Sequence, residues 1–250
     1  MMADETTLAD LARAVGAART IAVLTGSGLS AASGVPTFRD AQTGLWAHYR
    51  PEELANPEAF ERDPTTVWQW YRARRQTLAE IVANDGHRAL ADLANELPDV
   101  RLITQNVDGL HQQAGHSNVI EFHGNIRVNQ CHNEGREVEV DDAVDTPPAC
   151  PHCGGLVRPG VVWFGEAIDP QAIERATQAA QACDVFLSVG TSAEVHPAAG
   201  LADLARRNGA HIAEINPDAT PLSDRVTWIV RDSAARVLPE LRRLSHNQHA

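Results

Sequence analysis

Thr25-Gly26-Ser27-Gly28-Leu29-Ser30-Ala31-Ala32-Ser33-Gly34-Val35-Pro36-Thr37-Phe38-Arg39 follows an apolar run, Ile21-Ala22-Val23-Leu24. The run reads as a buried strand. Gly26-x-Gly28-x-x-Ala31 is then a dinucleotide fingerprint: Gly26 allows a tight turn, Gly28 lets backbone approach a pyrophosphate, and Ala31 permits close helix packing. A dehydrogenase would reach a second strand and its ribose-binding acid about 20 residues later. Here that stretch holds Gly34, Pro36 and a polar segment from Asp40 to Pro51, with no strand signal. The loop is long and passes an arginine, Arg39, that could meet phosphate or ribose. It suits an enzyme that breaks a dinucleotide better than one that reduces it.

Outward from this loop, strands and helices alternate. Thr6 or Thr7 can cap a first helix to about Ala18. Strands are expected at 20–24, 100–104, 119–122, 161–164, 185–189, 211–215 and 228–230. Helices are expected across 51–85 with breaks near Pro57 and Pro64, and over 87–96, 170–182, 197–208 and 234–244. The pattern predicts an α/β fold, a Rossmann-like parallel sheet with helices on both faces. Residues 1–40, 86–124 and 160–250 would form a large dinucleotide-binding domain. The helical insert 41–85 and a poorly periodic insert, 125–159, would form a small domain. Ligands of such sheets bind beyond the carboxyl ends of the strands, where Gly26 to Ser30, Gln105 to His111, His123-Gly124, Gly190 to Ser192 and Asn216 all fall.

The 250 residues are 43% hydrophobic, enough for a proper core. No apolar run approaches the roughly 20 residues of a membrane span. The N-terminal stretch is acidic and carries no signal pattern, so a cytoplasmic location is expected. A net charge of −12 argues against nonspecific nucleic-acid binding. Of the four cysteines, Cys131, Cys150 and Cys153 lie close together, which in a cytosolic protein favours a metal or free thiols over disulfides. Cys183, before a core strand, reads as a buried apolar filler.

Thr104-Gln105-Asn106-Val107-Asp108-Gly109-Leu110-His111 closes a strand with three hydrogen-bonding side chains, either a capped turn or part of a site. Glu121-Phe122-His123-Gly124 then offers a histidine at a strand end, a candidate general base. With Gly34-Val35-Pro36-x-Phe38-Arg39, Cys150-Pro151-His152-Cys153-Gly154-Gly155, Arg158-Pro159-x-Val161-Val162-Trp163-Phe164-Gly165-Glu166 and Gly190-Thr191-Ser192, these pieces resemble the sirtuin family of NAD-dependent protein deacylases. They run in that family's order over nearly the whole chain.

The resemblance implies an NAD-consuming transfer. The oxygen of an acyl-lysine attacks the ribose carbon, nicotinamide leaves, and a histidine base activates a ribose hydroxyl against the resulting imidate. Nicotinamide, O-acyl-ADP-ribose and free lysine are released. His123 matches that base. Asn106 and Asp108 match residues that hold ribose and nicotinamide, and Gln105 a residue at the ribose. Gly26, Ser27, Gly28, Ser30, Phe38 and Arg39 match the cofactor loop. Gly190, Thr191, Ser192 and Asn216 match the adenosine half. Val161, Val162, Trp163, Phe164, Gly165 and Glu166 match a strand that pairs with substrate backbone. Acylated lysine side chains of proteins are the implied partners, and family analogy suggests a monomer. The sequence departs from the family at Ser27, usually Ala, and near Val230-Arg231-Asp232-Ser233, where a usual Gly is missing and no adenine role is assigned.

The family's structural zinc module has two Cys-x-x-Cys pairs. Here Cys150-x-x-Cys153 is intact, but the first pair reads Cys131-His132-Asn133-Glu134. Cys131, Cys150, Cys153 and Glu134 can hold zinc, because carboxylate oxygen is an accepted ligand. His132 is an alternative fourth ligand, and packing without metal is another outcome.

Tyr71 and Arg74 lie three apart on a helical segment and share a face. They resemble the Tyr-x-x-Arg signature of the sirtuin class that removes succinyl and malonyl groups, and Ala55 resembles the small residue of its wider acyl pocket. A phenol and a guanidinium would read a carboxylate, while an acetyl group would also fit. The opposing reading is a solvated basic face formed by Arg72, Arg74 and Arg75. The remaining competitors are a plain deacetylase, an ADP-ribosyltransferase or NAD glycohydrolase on the same scaffold, and a noncatalytic NAD-sensing module.

Overall fold

The computed structural model describes residues 5–36 and 50–246. Phe38 and Arg39 of the expected cofactor loop therefore lie outside the described residues. The chain forms α1 (Glu5–Ala17), β1 (Ile21–Thr25), α2 (Ser27–Ala31), α3 (Pro51–Leu54), α4 (Pro57–Arg62), α5 (Pro64–Ala79), α6 (Asp85–Glu96), β2 (Val100–Thr104), α7 (Leu110–Gln113) and β3 (Val119–Glu121). Then follow β4 (Gly124–Cys131), β5 (Val157–Val161), α8 (Pro170–Ala182), β6 (Val185–Val189), α9 (Gly200–Arg207), β7 (His211–Ile215), β8 (Trp228–Val230) and α10 (Ala234–His246).

Six strands pair in the order β3-β2-β1-β6-β7-β8, and every pairing in this sheet is parallel. Period-two alternation sends Ile21 and Val23 to one face, with α1, α6 and α10. Ala22 and Leu24 go to the other, with α8 and α9. Both faces are covered, so the strands read as apolar runs. The strand order reverses between β1 and β6, and that switch point sets the ligand crevice beyond Thr25 and Val189. The Rossmann-like expectation holds.

Away from this sheet, β4 and β5 form an antiparallel pair. Leu54, Ala55, Phe60, Trp70, Tyr71 and Trp163 bury together beside it. Asn56 and Asp63 cap α4 and α5 by accepting from Ala59 and Thr66 N–H, so the expected breaks at Pro57 and Pro64 are real helix starts.

Four expectations need correction. The strand expected at Val161–Phe164 is Val157–Val161, because Val161 is the last residue in the ladder, opposite Gly124. Beyond it the Val162 N–H donates to His123 O and the Phe164 N–H to Ala55 O, so the chain leaves the ladder. Pro159 inside β5 hid it from the sequence pattern, and a two-stranded ribbon tolerates that proline. The stretch from 125 also begins within a strand, β4, whose polar Asn125, Arg127, Asn129 and Gln130 and a register shift between Asn125 and Asn129 conceal the alternation. Helix α1 is already formed at Glu5, so Thr6 and Thr7 sit in its first turn rather than ahead of it. Helix α9 starts at Gly200, because turns closed by Ala199 N–H on Val195 O and Gly200 N–H on Pro197 O occupy the preceding residues.

Candidate active site

The carboxyl ends of β1, β2 and β6 meet through their loops. The Gly26 N–H donates to Val189 O at 3.0 Å and the Gly28 N–H to Gly190 O at 2.8 Å. A Cβ on Gly26 or on Gly28 would fall 2.8 Å from the Gly190 carbonyl oxygen. Those contacts are too short for real atoms, so both glycines are needed for loop-on-loop packing. Gly28, expected to let a pyrophosphate approach, also packs its bare backbone against Gly190.

On that base the polar groups interlock. Asn106 Nδ2 donates to Gly26 O at 3.0 Å and to Ser30 Oγ at 3.1 Å. The Ser30 hydroxyl donates to Asp108 Oδ2 at 2.7 Å, and Asp108 Oδ1 accepts the Leu110 N–H at 2.9 Å. Ser30 and Asp108 are buried, so they brace the loop, while Gln105, Asn106 and Ser27 are half-buried at the crevice. Gln105 Nε2 donates to Thr191 Oγ1 at 2.9 Å, and Asn216 Nδ2 to Thr191 O at 3.0 Å. Gly190, Thr191, half-buried Ser192 and Asn216 thus join the same edge.

His123 follows β3. Its Nδ1 lies 3.1 Å from Gln105 O. A carbonyl only accepts, so this contact fixes the tautomer with the proton on Nδ1 and the lone pair on Nε2. Burial lowers its pKa, against a smaller raising effect of the Gln105 carbonyl. A neutral imidazole with a free lone pair is the form a general base needs.

Sequence reasoning missed a buried histidine layer behind this edge. Thr25 Oγ1 lies 2.9 Å from both Thr104 Oγ1 and His111 Nε2. The His87 and His111 rings stand 5.0 Å apart, and His87 Nε2 lies 3.4 Å from Ser30 Oγ. Burial pushes the His87 pKa down to about 4 and that of His111 well below the usual value. His87, with its small partner Gly86, gave no motif signal.

In the second sheet's module, one ligand atom each from Cys131, Glu134, Cys150 and Cys153 lies within 4.8 Å of all the others. Gly154, at φ 74°, closes the turn, and the Gly155 N–H points at Cys153 Sγ at 3.4 Å. Three sulfurs and a carboxylate in one cluster fit zinc. His132 is turned away: its ring packs 5.0 Å from Phe60 and 6.4 Å from Trp163. That geometry selects Glu134 over His132 as the fourth donor.

The family model described as "SIR2: Sir2 family" matches residues 26–197. This chain belongs to the Sir2 family. An NAD-dependent protein deacylase of Aquifex aeolicus is 50% identical to it over 224 residues, 88% of this chain and 93% of the relative. A Sir2 homolog solved as an NAD complex superposes with a TM-score of 0.91 at 43% identity, covering 96% of this chain and 94% of that one. A structure described as Sir2–p53 peptide–NAD+ gives a TM-score of 0.80 at 28% identity, covering 94% and 96%.

This Sir2-family chain buries Tyr71 beside Trp163, whose indole N–H donates to the phenol oxygen at 2.9 Å. Burial raises the phenol pKa. Ala55 is buried in the same cluster. The segment 162–166 folds over it, buckled by Arg158, which donates to both Glu166 oxygens and to Val161 O and lies 3.5 Å from the Trp163 ring centroid. Glu166 also accepts the Trp163 N–H at 2.8 Å. Phe164 and Gly165 are left exposed at the bend. The opposite charges flanking an apolar run were the available signal for this buckle.

The arginines of α5 do not share one solvated face. Arg72 pairs with Asp145. Arg75 pairs with Asp142 and donates to Ile126 O, Val128 O and Asn129. Arg74 has no carboxylate partner among the described residues, and its burial lowers its pKa.

Among the described residues no helix is long and apolar enough to cross a membrane.

Proposed function

We propose that this chain is an NAD-dependent protein-lysine deacylase with a preference for acyl groups that end in a carboxylate, succinyl and malonyl. The observation that carries deacylation is His123, neutral, with Nδ1 tied to Gln105 O and Nε2 without a hydrogen-bond partner among the described residues, beside the strand-end cluster. NAD supplies the electrophilic ribose carbon and the ribose hydroxyl that takes the acyl group. Gln105 and Asn106 hold and orient the ribose and nicotinamide, and the buried Asp108 acts with them through Ser30. Gly190, Thr191, Ser192 and Asn216 hold the adenosine half, and Gly26, Ser27, Gly28 and Ser30 shape the loop between, with Phe38 and Arg39 as its further expected members. His123 Nε2 accepts the hydroxyl proton, worth typically about 10²- to 10⁴-fold in rate. The exposed bend after Val161 receives the substrate backbone, and Ala55, Tyr71 and Arg74 receive the acyl group.

The acyl preference rests on Arg74. A half-buried guanidinium with no anion among the described residues is partly desolvated without return, and a carboxylate is the group that compensates it, with a planar two-point match. Cys131, Glu134, Cys150 and Cys153 would hold a structural zinc that supplies folding energy and no chemistry. The six-stranded sheet would be the large domain. The inserts 41–85 and 125–159, with β4 entering from Gly124, would be the small one.

The test is nicotinamide release and lysine deacylation on one peptide carrying succinyl or acetyl. His123→Ala is expected to lower kcat about 10²-fold or more while NAD binding persists. Nicotinamide release that is equally fast without any peptide would overturn deacylation in favour of NAD glycohydrolysis.

A further inference from the structure

Resting on the acidic-acyl reading of Arg74, one question is left: what holds this cation in place before a carboxylate arrives. Arg74 lies four residues after Trp70 on α5, so the two share a face. The Arg74 guanidinium carbon sits over the Trp70 ring, 5.0 Å from its centroid. Trp70 is itself fixed. It is 2% exposed, and its ring meets Tyr71 edge-on at 4.6 Å between centroids and 75° between planes. Its indole N–H is buried and has no acceptor among the described residues. The ring therefore contributes a negative face, and no hydrogen bond, to its surroundings.

The neighbouring arginine shows that an aromatic face alone is not the whole device. Arg75 lies 5.6 Å from the Trp68 centroid, yet it also meets Asp142 and three oxygens around β4. For Arg74 the described residues offer the aromatic face only. An aromatic face attracts a cation without occupying its N–H donors, so the donors stay available to a carboxylate.

We propose that Trp70 is a positioning residue for acyl selection: its ring holds the Arg74 guanidinium, donors free, where an acyl carboxylate can take it up. Trp70 acts through Arg74, so its effect appears on carboxylate-bearing acyl groups. A cation–π contact of this kind corresponds to about 3- to 30-fold in affinity.

The experiment measures kcat and KM for succinyl- and acetyl-lysine forms of one peptide with wild type, Trp70→Phe, Trp70→Met, Arg74→Met and the double variant Trp70→Met/Arg74→Met. Trp70→Met is expected to lower the succinyl-to-acetyl ratio of kcat/KM about tenfold, mainly through the succinyl KM. Trp70→Phe, which keeps a ring and lacks the N–H, should retain most of the ratio. The double variant should have the ratio of Arg74→Met alone. An equal loss on both substrates, an additive double variant, or a Trp70→Phe as poor as Trp70→Met would overturn the proposal. If Arg74→Met itself leaves the ratio unchanged, the acidic-acyl reading fails and this proposal falls with it. A lost ratio in Arg74→Met beside an intact one in Trp70→Met sinks only the role of Trp70. Should Trp70→Met not fold, protein labelled with 5-fluorotryptophan gives a second readout. The Trp70 fluorine signal, assigned by Trp70→Phe, should shift with succinyl peptide and not with acetyl peptide, and an identical response to both would refute the proposal.

Discussion

At the carboxyl edge of the large sheet, Gln105, Asn106, Asp108 and Asn216 all have protein partners for their side chains. In the smaller β4–β5 region, Arg74 faces an aromatic ring, and three sulfurs and a carboxylate cluster as metal donors. The first region is nearly complete as protein: its strand-end side chains regain hydrogen bonds lost to water, and the exceptions among the described residues are ring nitrogens of the buried histidines behind them, such as Nδ1 of His87 and His111. The second holds one guanidinium with no carboxylate partner among the described residues and one cluster of metal donors, each of which gains from a bound counter-charge. The edge can therefore be rigid before a dinucleotide arrives, which would preorganise the proposed ribose site. The smaller region draws part of its stability from what it binds.

Metal removal breaks this contrast most strongly. Binding to a structural thiolate site is folding free energy, on the order of 10 kcal/mol in zinc-finger peptides. Chelation is expected to lower the melting temperature by roughly 10 °C or more. Loss of protection in hydrogen exchange should be confined to β4, β5 and their loops, with the large sheet unchanged. Glu134→Cys should tighten zinc retention against a competing chelator, and Glu134→Ala should weaken it. Uniform loss of protection across the large sheet would show that the two regions do not differ in this way.

The converse change strikes the complete region. Glu214, 1% exposed on β7, lies 2.8 Å from Arg231 and accepts from Ser223 Oγ and Thr220 Oγ1. Arg231 also donates to Asn216 O, so this pair holds the loop that presents Asn216. Arg231→Met would strand a buried carboxylate. The cost of breaking such a pair is about 3–5 kcal/mol, nearer the lower figure here because two hydroxyls remain and Arg231 is partly exposed. A melting temperature lower by roughly 6–12 °C is expected. A shift below about 2 °C would show that the edge does not depend on its internal pairs.

The two regions were also unequally legible. The strands of the large sheet could be read as apolar runs bounded by polar turns, since burial on both faces leaves no other pattern. β2, β6, β7 and β8 have the bounds the sequence suggested. β4 and β5 escaped, because a two-stranded ribbon with one open face admits Asn, Arg and Pro, and its pairing is nonlocal. The strand-end residues announced themselves by clustering. Their partners could not: nothing near His87 or Arg231 in sequence says that Ser30 or Glu214 will lie against it. Arg74 was visible as part of a spacing, but its isolation from Asp142 and Asp145 depends on how β4 and its following loop pack on α5.

The smallest expected effect separates the buried histidine layer from the rest of the edge. Burial holds the His87 pKa near 4, below the unfolded value of about 6.5. Between those two values the unfolded chain binds a proton that the folded one refuses, so stability falls as pH drops from about 6.5 to about 4 and levels off below. The loss from this group alone is at most on the order of 3 kcal/mol, with a slope of about 1.4 kcal/mol per pH unit. His111 and His116 are lowered by the same cause and add to it. His87→Gln keeps a polar side chain and removes one titration. Urea midpoints from pH 7 to 4.5 should therefore fall less steeply in the variant by about one proton. An unchanged slope would mean that water reaches His87, and that the edge is less sealed than its hydrogen bonds suggest.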